Sequence, residues 1–380
     1  MIAKGGFPVN RKLTWGFGLV LVLLALGTAG CFHSDEGEAQ QTGTEGGQDQ
    51  GGGLLQEVTN RGTLNCGVNE AVPGFGFVTE AGDFEGFDIE FCRVVAAAVL
   101  GDAEAVEFRP LTAEQRFTAL QAGEIDVLIR NTTWTASRDG GEGAAHLTTT
   151  FYDSGGMMVR ADSPYQSIDD MDGTTICVLS GTTNEQVLAS VFGARGIANT
   201  PLTFEETDPL REAFVAERCD GWTSDISQLA GIRSQWPDTE GGPEALRILD
   251  EPLSKEPLGP VVRDGDSEWA DAVNWAILAT IQAEEFEITS ENVEEMANSE
   301  DPEIRRFLGS PVEEEEGAAP APFDPGLGLP VDFAVQVISQ VGNYGEIYAR
   351  NLGPESPLGI ERELNALWSD GGLHYSPPYR

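Results

Sequence analysis

From Leu54 onward the apolar positions switch repeatedly between two spacings. Short runs such as Thr63-Leu64-Asn65-Cys66-Gly67-Val68, Val106 to Arg109 and Ile125-Asp126-Val127-Leu128-Ile129 read as strands. Between them, Gly86 to Val99 (through Ile89, Phe91, Val94, Val95 and Val99) and Ala113 to Ala122 carry the three-and-four spacing of a helix face. Alternating strands and helices predict a parallel sheet covered on both faces. Ligands of such sheets bind at the carboxyl edge of the strands, so the turns after Val68 and Ile129 are the first places to look for a site. The alternation restarts at Thr175-Ile176-Cys177-Val178, with Gly181-Thr182-Thr183 at the next strand-to-helix turn, and continues through Cys219-Asp220-Gly221-Trp222-Thr223. It closes with a strand around Leu258 to Val262 and a helix over Ser267 to Ala283. Two α/β units in tandem predict two lobes with a cleft between them, a common place for small-molecule sites. An amphipathic helix from Val331 to Ile338 predicts that the C-terminus packs back on the body.

The N-terminus has a different pattern. Lys4, Arg11 and Lys12 precede an apolar run from Trp15 to Ala29 that ends in Thr28-Ala29-Gly30-Cys31, the layout of an export signal. The run is shorter than the ~20 residues a spanning helix prefers. Small residues directly before a cysteine resemble the lipobox of bacterial lipoproteins, with Cys31 as the lipidated first residue. Leucine is usual where Thr28 stands, so an ordinary secretory signal and an uncleaved anchor helix stay open. All three place the remaining chain outside the cytoplasm. Ser34 to Gly53 is nearly free of apolar residues and reads as a disordered tether.

That placement changes how the cysteines read. Cys66, Cys92, Cys177 and Cys219 form an even set in an oxidising compartment, and four cysteines allow three pairings. Neighbouring elements pair most easily, which favours Cys66–Cys92 and Cys177–Cys219 as structural bridges, with free buried thiols as the alternative. His33, His146 and His374 are scattered and no CxxC occurs, so neither a metal nor another cofactor is expected. Asp and Glu number 63 against 22 Lys and Arg, a net charge of -41, which argues against nucleic-acid binding and fits a solvated acidic surface.

Several segments in order resemble the periplasmic amino-acid-binding proteins of ABC transporters, and within them the general, broad-specificity L-amino-acid-binding proteins. They are Leu64 to Asn69, Gly86-Phe87-Asp88-Ile89-Glu90-Phe91-Cys92-Arg93, Arg130-Asn131-Thr132-Thr133-Trp134-Thr135 with Ser137-Arg138-Asp139, and Ser180-Gly181-Thr182-Thr183. Arg218-Cys219-Asp220 with Thr223-Ser224-Asp225, Lys255 to Pro260, Val341 to Glu346 and Leu373 to Arg380 complete the set, so the resemblance covers roughly Leu54 to Arg380. It implies the type II two-lobe α/β fold, each lobe a mainly parallel sheet flanked by helices, with a C-terminal helical extension. The expected division is 1–30 signal peptide, 31–53 tether, 54–160 plus 258–300 lobe one, 161–257 lobe two and 301–380 extension. Hinge closure around a ligand is the motion known for periplasmic binding proteins as a class.

A free amino acid offers a carboxylate and an ammonium. Arg138 matches the family's carboxylate-binding arginine, a fork that fits a carboxylate plane, with backbone N–H groups of Thr133 and Thr183 as added donors. Asp225 matches the ammonium-binding aspartate, helped by the Thr133 hydroxyl and the Asn131 carbonyl. Thr182 and Asn184 are expected on the wall of the second lobe, with helix capping as the alternative for them. Asn69, Glu70 and Phe75 follow the first strand where the family shapes its side-chain pocket, and Trp134 is a further candidate wall, with hydrophobic core as its alternative. Asn69 and Val72 stand where narrower relatives carry an acid and an aromatic, which fits a roomy pocket. The expectation is a monomeric, lipid-anchored, extracytoplasmic binding protein that delivers amino acids to an ABC permease. A ligand-sensing accessory protein and a periplasmic dehydratase-like enzyme on the same fold are the alternatives; no Ser/His or Cys/His arrangement is visible and no fused signalling domain is expected.

Overall fold

The computed structural model describes residues 53–313 and 319–380. Its frame is two five-stranded sheets with one shared strand order. In the first sheet Val106–Pro110, Leu64–Val68 and Val127–Leu128 are parallel, followed by Val261–Arg263 running antiparallel and then Ala144–His146. In the second, Asn199–Phe204, Thr174–Leu179 and Gly221–Asp225 are parallel, followed by Gly155–Arg160 running antiparallel and then Leu246–Ile248. The strand that opposes the others is, in each sheet, the one entered from the opposite lobe. This is the type II periplasmic-binding-protein fold. The expected first lobe ran to residue 160, but Gly155–Arg160 is hydrogen-bonded inside the second sheet, so the crossing comes just before it. A strand's sheet is fixed by its distant partners, which its own residues do not encode.

Between the lobes, Phe151–Asp153 and Glu256–Leu258 pair as a two-stranded ribbon, in register Asp153 with Glu256. Gly155 follows this crossing, and a Cβ there would meet Ser254 Oγ at 2.6 Å and Asn184 Oδ1 at 2.8 Å, so a larger residue would displace both side chains. The disulfides are Cys66–Cys92, joining the first strand to the helix Phe87–Leu100, and Cys177–Cys219, joining the strand Thr174–Leu179 to the turn that leads into Gly221–Asp225.

The helix Phe87–Leu100 is buried along nearly its whole length and packs under Ser267–Glu285, Phe333–Gln340 and Tyr344–Asn351. Residues 301–380 therefore extend the core of the first lobe, and they also brace the ribbon. Asn365 accepts from the Tyr152 N–H at 2.7 Å and donates to the Tyr152 carbonyl at 3.1 Å, while the Tyr344 hydroxyl donates to the Thr150 carbonyl at 2.8 Å. The predicted helix at 331–338 begins two residues later, at Phe333. The expected signal peptide, Cys31 and all but the last residue of the tether lie outside the described residues.

Candidate ligand-binding site

The carboxyl ends of the two sheets face one another, and the turns there carry polar groups from both lobes. After Val127–Leu128 the chain turns at Asn131, whose φ of 32° lies in the left-handed region that asparagine tolerates better than most residues. Its backbone N–H donates to Asp88 Oδ2 at 2.7 Å and its amide Oδ1 accepts from Asn69. The remaining Nδ2 reaches across the cleft to Asp225 Oδ2 at 3.1 Å. Asp225 ends the strand Gly221–Asp225, is 3% exposed, and accepts from Asn184 Nδ2 at 2.8 Å. Thr182 caps the helix Thr183–Arg195, accepting from the Glu185 N–H at 3.2 Å. The hydroxyls of Thr133 and Thr183, one from each lobe, both donate to Glu256 Oε2 on the ribbon, at 2.6 and 2.8 Å.

Arg138 sits in the short helix Ala136–Gly141 and donates to the carbonyls of Thr133 at 3.0 Å and Gly181 at 3.4 Å. Arg116 donates to the same Gly181 carbonyl at 3.3 Å, and the Phe117 ring lies 5.3 Å from the Arg116 guanidinium and 5.6 Å from that of Arg138. Arg130 is the third buried arginine and donates Nε to the Leu111 carbonyl at 2.7 Å. Among the described residues no carboxylate comes within 4.0 Å of any of the three.

Burial raises Asp225 to about 6, with Glu256 adding to the effect and the amides of Asn184 and Asn131 opposing it. Burial also raises Asp88 to about 7, against the Asn131 N–H and the charge of Arg130. On the cationic side burial lowers Arg138, with Glu256 and Asp225 opposing. Burial lowers Arg116 well below its ordinary value, and the charges of Arg138 and Arg130 add to that. The site thus holds cations and carboxylates that are desolvated yet separated by the neutral side chains of Asn131, Thr133 and Thr183. A molecule bearing both charges would relieve both groups at once.

Two cavities adjoin here. The inner one, about 20 Å³, is lined by Arg138, Thr133, Thr183, Asn184 and Asp225 among others, and the outer one, about 410 Å³, opens past Asn69, Glu70 and Glu205. Arg130 and Leu179 line both. The inner space suits about one water, so a larger guest requires the lobes to part. Among the direct cross-cleft contacts opposing that, Asn131 to Asp225 is an ordinary hydrogen bond at 3.1 Å, while the hydroxyls of Thr133 and Thr183 at 3.4 Å and the arginines to Gly181 at 3.3 and 3.4 Å are long.

The family model for bacterial extracellular solute-binding proteins, family 3, matches residues 64–292. The chain belongs to that family. It is 47% identical to the general L-amino acid-binding periplasmic protein AapJ of Rhizobium johnstonii over 326 residues, 86% of this chain and 92% of the relative. It is 44% identical to the glutamate/glutamine/aspartate/asparagine-binding protein BztA of Rhodobacter capsulatus over 86% of this chain and 93% of that one. Among solved structures, an ABC transporter periplasmic binding protein from Brucella ovis with glutathione bound superposes with a TM-score of 0.80 at 44% identity, covering 87% of this chain and all of that one. Residues 301–380 lie past the end of the family match.

Within this member of the family, the structure brings Arg138, Asp225, Asn131, Thr133, Thr182, Thr183 and Asn184 together around the inner cavity, and Asn69 and Glu70 beside the outer one. Two expected residues are elsewhere. Phe75 is 1% exposed and packs edge-on against Phe87 and Phe151 in the core, because the turn after the first strand folds inward at that point. Trp134 is 43% exposed and stacks flat on His146 at 6.0 Å, on the far side of its turn from Thr133. Sequence reasoning missed Arg116, Arg130, Asp88 and Glu256. Three of them lie inside segments that carried the resemblance; Arg130 follows a strand end, Asp88 opens the helix Phe87–Leu100 and Glu256 begins a ribbon strand. Arg116 falls on the apolar face of its helix beside Ala119 and Leu120, and a buried arginine there has no sequence mark. Among the described residues no group of three or more His, Cys, Asp or Glu side chains is placed to hold a metal ion.

Proposed function

We propose that this protein captures free L-amino acids outside the cytoplasmic membrane and presents them to an ABC permease, without chemical turnover. The observation that carries this reading is the paired burial of Arg138 and Asp225, each lining the same inner cavity from opposite lobes with no ion-pair partner of its own within 4.0 Å. A ligand carboxylate meets the Arg138 fork with help from the Thr133 and Thr183 N–H groups, and the ammonium meets Asp225. The Thr133 hydroxyl already donates to Glu256, which leaves its lone pairs to accept from the ammonium. Because each lobe contributes one charge, the ligand favours the closed form through contacts that the open form lacks. The names of the 44–47% identical relatives support amino acids as the ligand class and periplasmic delivery as the setting. Attachment through a lipidated Cys31 and a monomeric state belong to the same proposal.

A thermal-shift screen over the twenty amino acids and a few oligopeptides tests it. Ligands that bind only the folded state raise Tm, by about 2.7 kcal/mol of added stability at a hundredfold excess over Kd. Several L-amino acids should do so and remain unchanged after incubation. No shift with any of them, or conversion of the added amino acid, would overturn the reading.

A further inference from the structure

The amino-acid reading uses one of the three buried arginines for the ligand's α-carboxylate, which leaves Arg130 without a task. Arg130 is 8% exposed, yet it borders both the inner and the outer cavity. Its one hydrogen bond runs from Nε to the Leu111 carbonyl, so its terminal nitrogens, which have no partner, are available to the cavities. Asp88 is the nearest carboxylate in electrostatic terms, but it lies beyond 4.0 Å and its Oδ2 accepts from the Asn131 N–H. A desolvated, unpaired guanidinium is costly to maintain, and here it stands at the junction of the inner and outer cavities.

We infer that Arg130 is a specificity-determining residue that forms a second anion subsite, selecting amino acids whose side chain ends in a carboxylate over their neutral amides. The outer cavity of about 410 Å³ has room for such a side chain. Glu70, Glu205, Glu206 and Asp208 also line that cavity and carry charge of the wrong sign, but all four are exposed at its rim, where water and salt screen them within roughly 8 Å. The rim therefore repels a carboxylate carried far outward, while buried Arg130 attracts one held close. The subsite suits short dicarboxylic amino acids, and a guanidinium fork discriminates a planar carboxylate from an isosteric amide by charge.

The inference rests on the amino-acid reading, and calorimetry with isosteric pairs separates the two. Titrate the wild-type protein with glutamate and glutamine, with aspartate and asparagine, and with alanine as the shared zwitterion. The subsite predicts that at least one acid binds tenfold or more tighter than its amide. Arg130→Met should bring that ratio to within about threefold of unity, whatever it does to affinity overall, and Arg130→Lys should restore part of it. Wild-type ratios near unity in both pairs, or a ratio that survives Arg130→Met, overturn the subsite. If Arg130→Met does not fold, the wild-type ratios and Arg130→Lys still decide the matter. Absence of binding by alanine and all four others would overturn the subsite, and the amino-acid reading falls with it only if none of the twenty amino acids shifts Tm.

Discussion

Replacing Asp225 with asparagine should move affinity and stability in opposite directions. In the closed cleft this carboxylate is 3% exposed and held at about 6 rather than 3.8, mainly by burial and then by Glu256. That displacement makes the charged form less stable in the fold than in water by up to about 3 kcal/mol. The sign follows from proton linkage: a carboxylate raised in the folded state lowers stability fully above its folded value and not at all below its unfolded one. Asp225→Asn removes the charge, so the ligand-free variant should melt several degrees above wild type at pH 8, with the gain fading as pH falls from about 6 toward 4. The new amide needs an acceptor, and Asn184 provides one, because its Oδ1 has no partner and its amide can flip. Binding should suffer for the same reason that stability gains. Removing one partner of a buried charge pair costs about 3–5 kcal/mol, which is two decades or more in Kd. Differential scanning calorimetry without ligand and titration calorimetry with L-alanine read the two effects separately. Affinity within threefold of wild type would rule out Asp225 as the ammonium's partner, and a variant less stable than wild type at pH 8 would rule out a destabilising buried charge there.

Other outcomes follow from the same geometry. Arg138→Lys replaces a fork held by two carbonyls with a point charge, and should weaken amino-acid binding by roughly ten- to hundredfold while the ligand-free protein keeps its fold. Wild-type affinity should be flat above pH 7 and fall by about tenfold per pH unit below about 6, because protonated Asp225 must release its proton to meet an ammonium; titrations in buffers of different ionisation enthalpy would detect that proton. Cys177→Ser with Cys219→Ser opens a loop spanning 42 residues and should cost up to about 4 kcal/mol in denaturant unfolding without reductant, and reductant should destabilise wild type by more than this because it also opens Cys66–Cys92.

Much of the parallel part of the fold was legible because its strands are buried on both faces and show as short apolar runs, as in 64–68 and 174–179. The strands 155–160 and 246–248, antiparallel to each other, were not, since each is defined by a partner far away in sequence. Arg138 and Asp225 were singled out through strand-end position and motif together, and both line the inner cavity. Trp134 shows the limit of neighbourhood in sequence: it is adjacent to Thr133 yet points to the opposite side of the turn, at His146. Glu256 was overlooked because its role, accepting from one threonine of each lobe, exists only once the ribbon forms.

The proposed function requires that one ligand present opposite charges to opposite lobes. Titration calorimetry with L-alanine, its hydroxy-acid counterpart L-lactate and L-alaninamide addresses it directly, since each derivative removes one charge, keeps the side chain and adds no bulk. Each derivative should lose at least a hundredfold in affinity, and Asp225→Asn should largely abolish the difference between L-alanine and L-lactate. Binding of either derivative at the parent's affinity would contradict it.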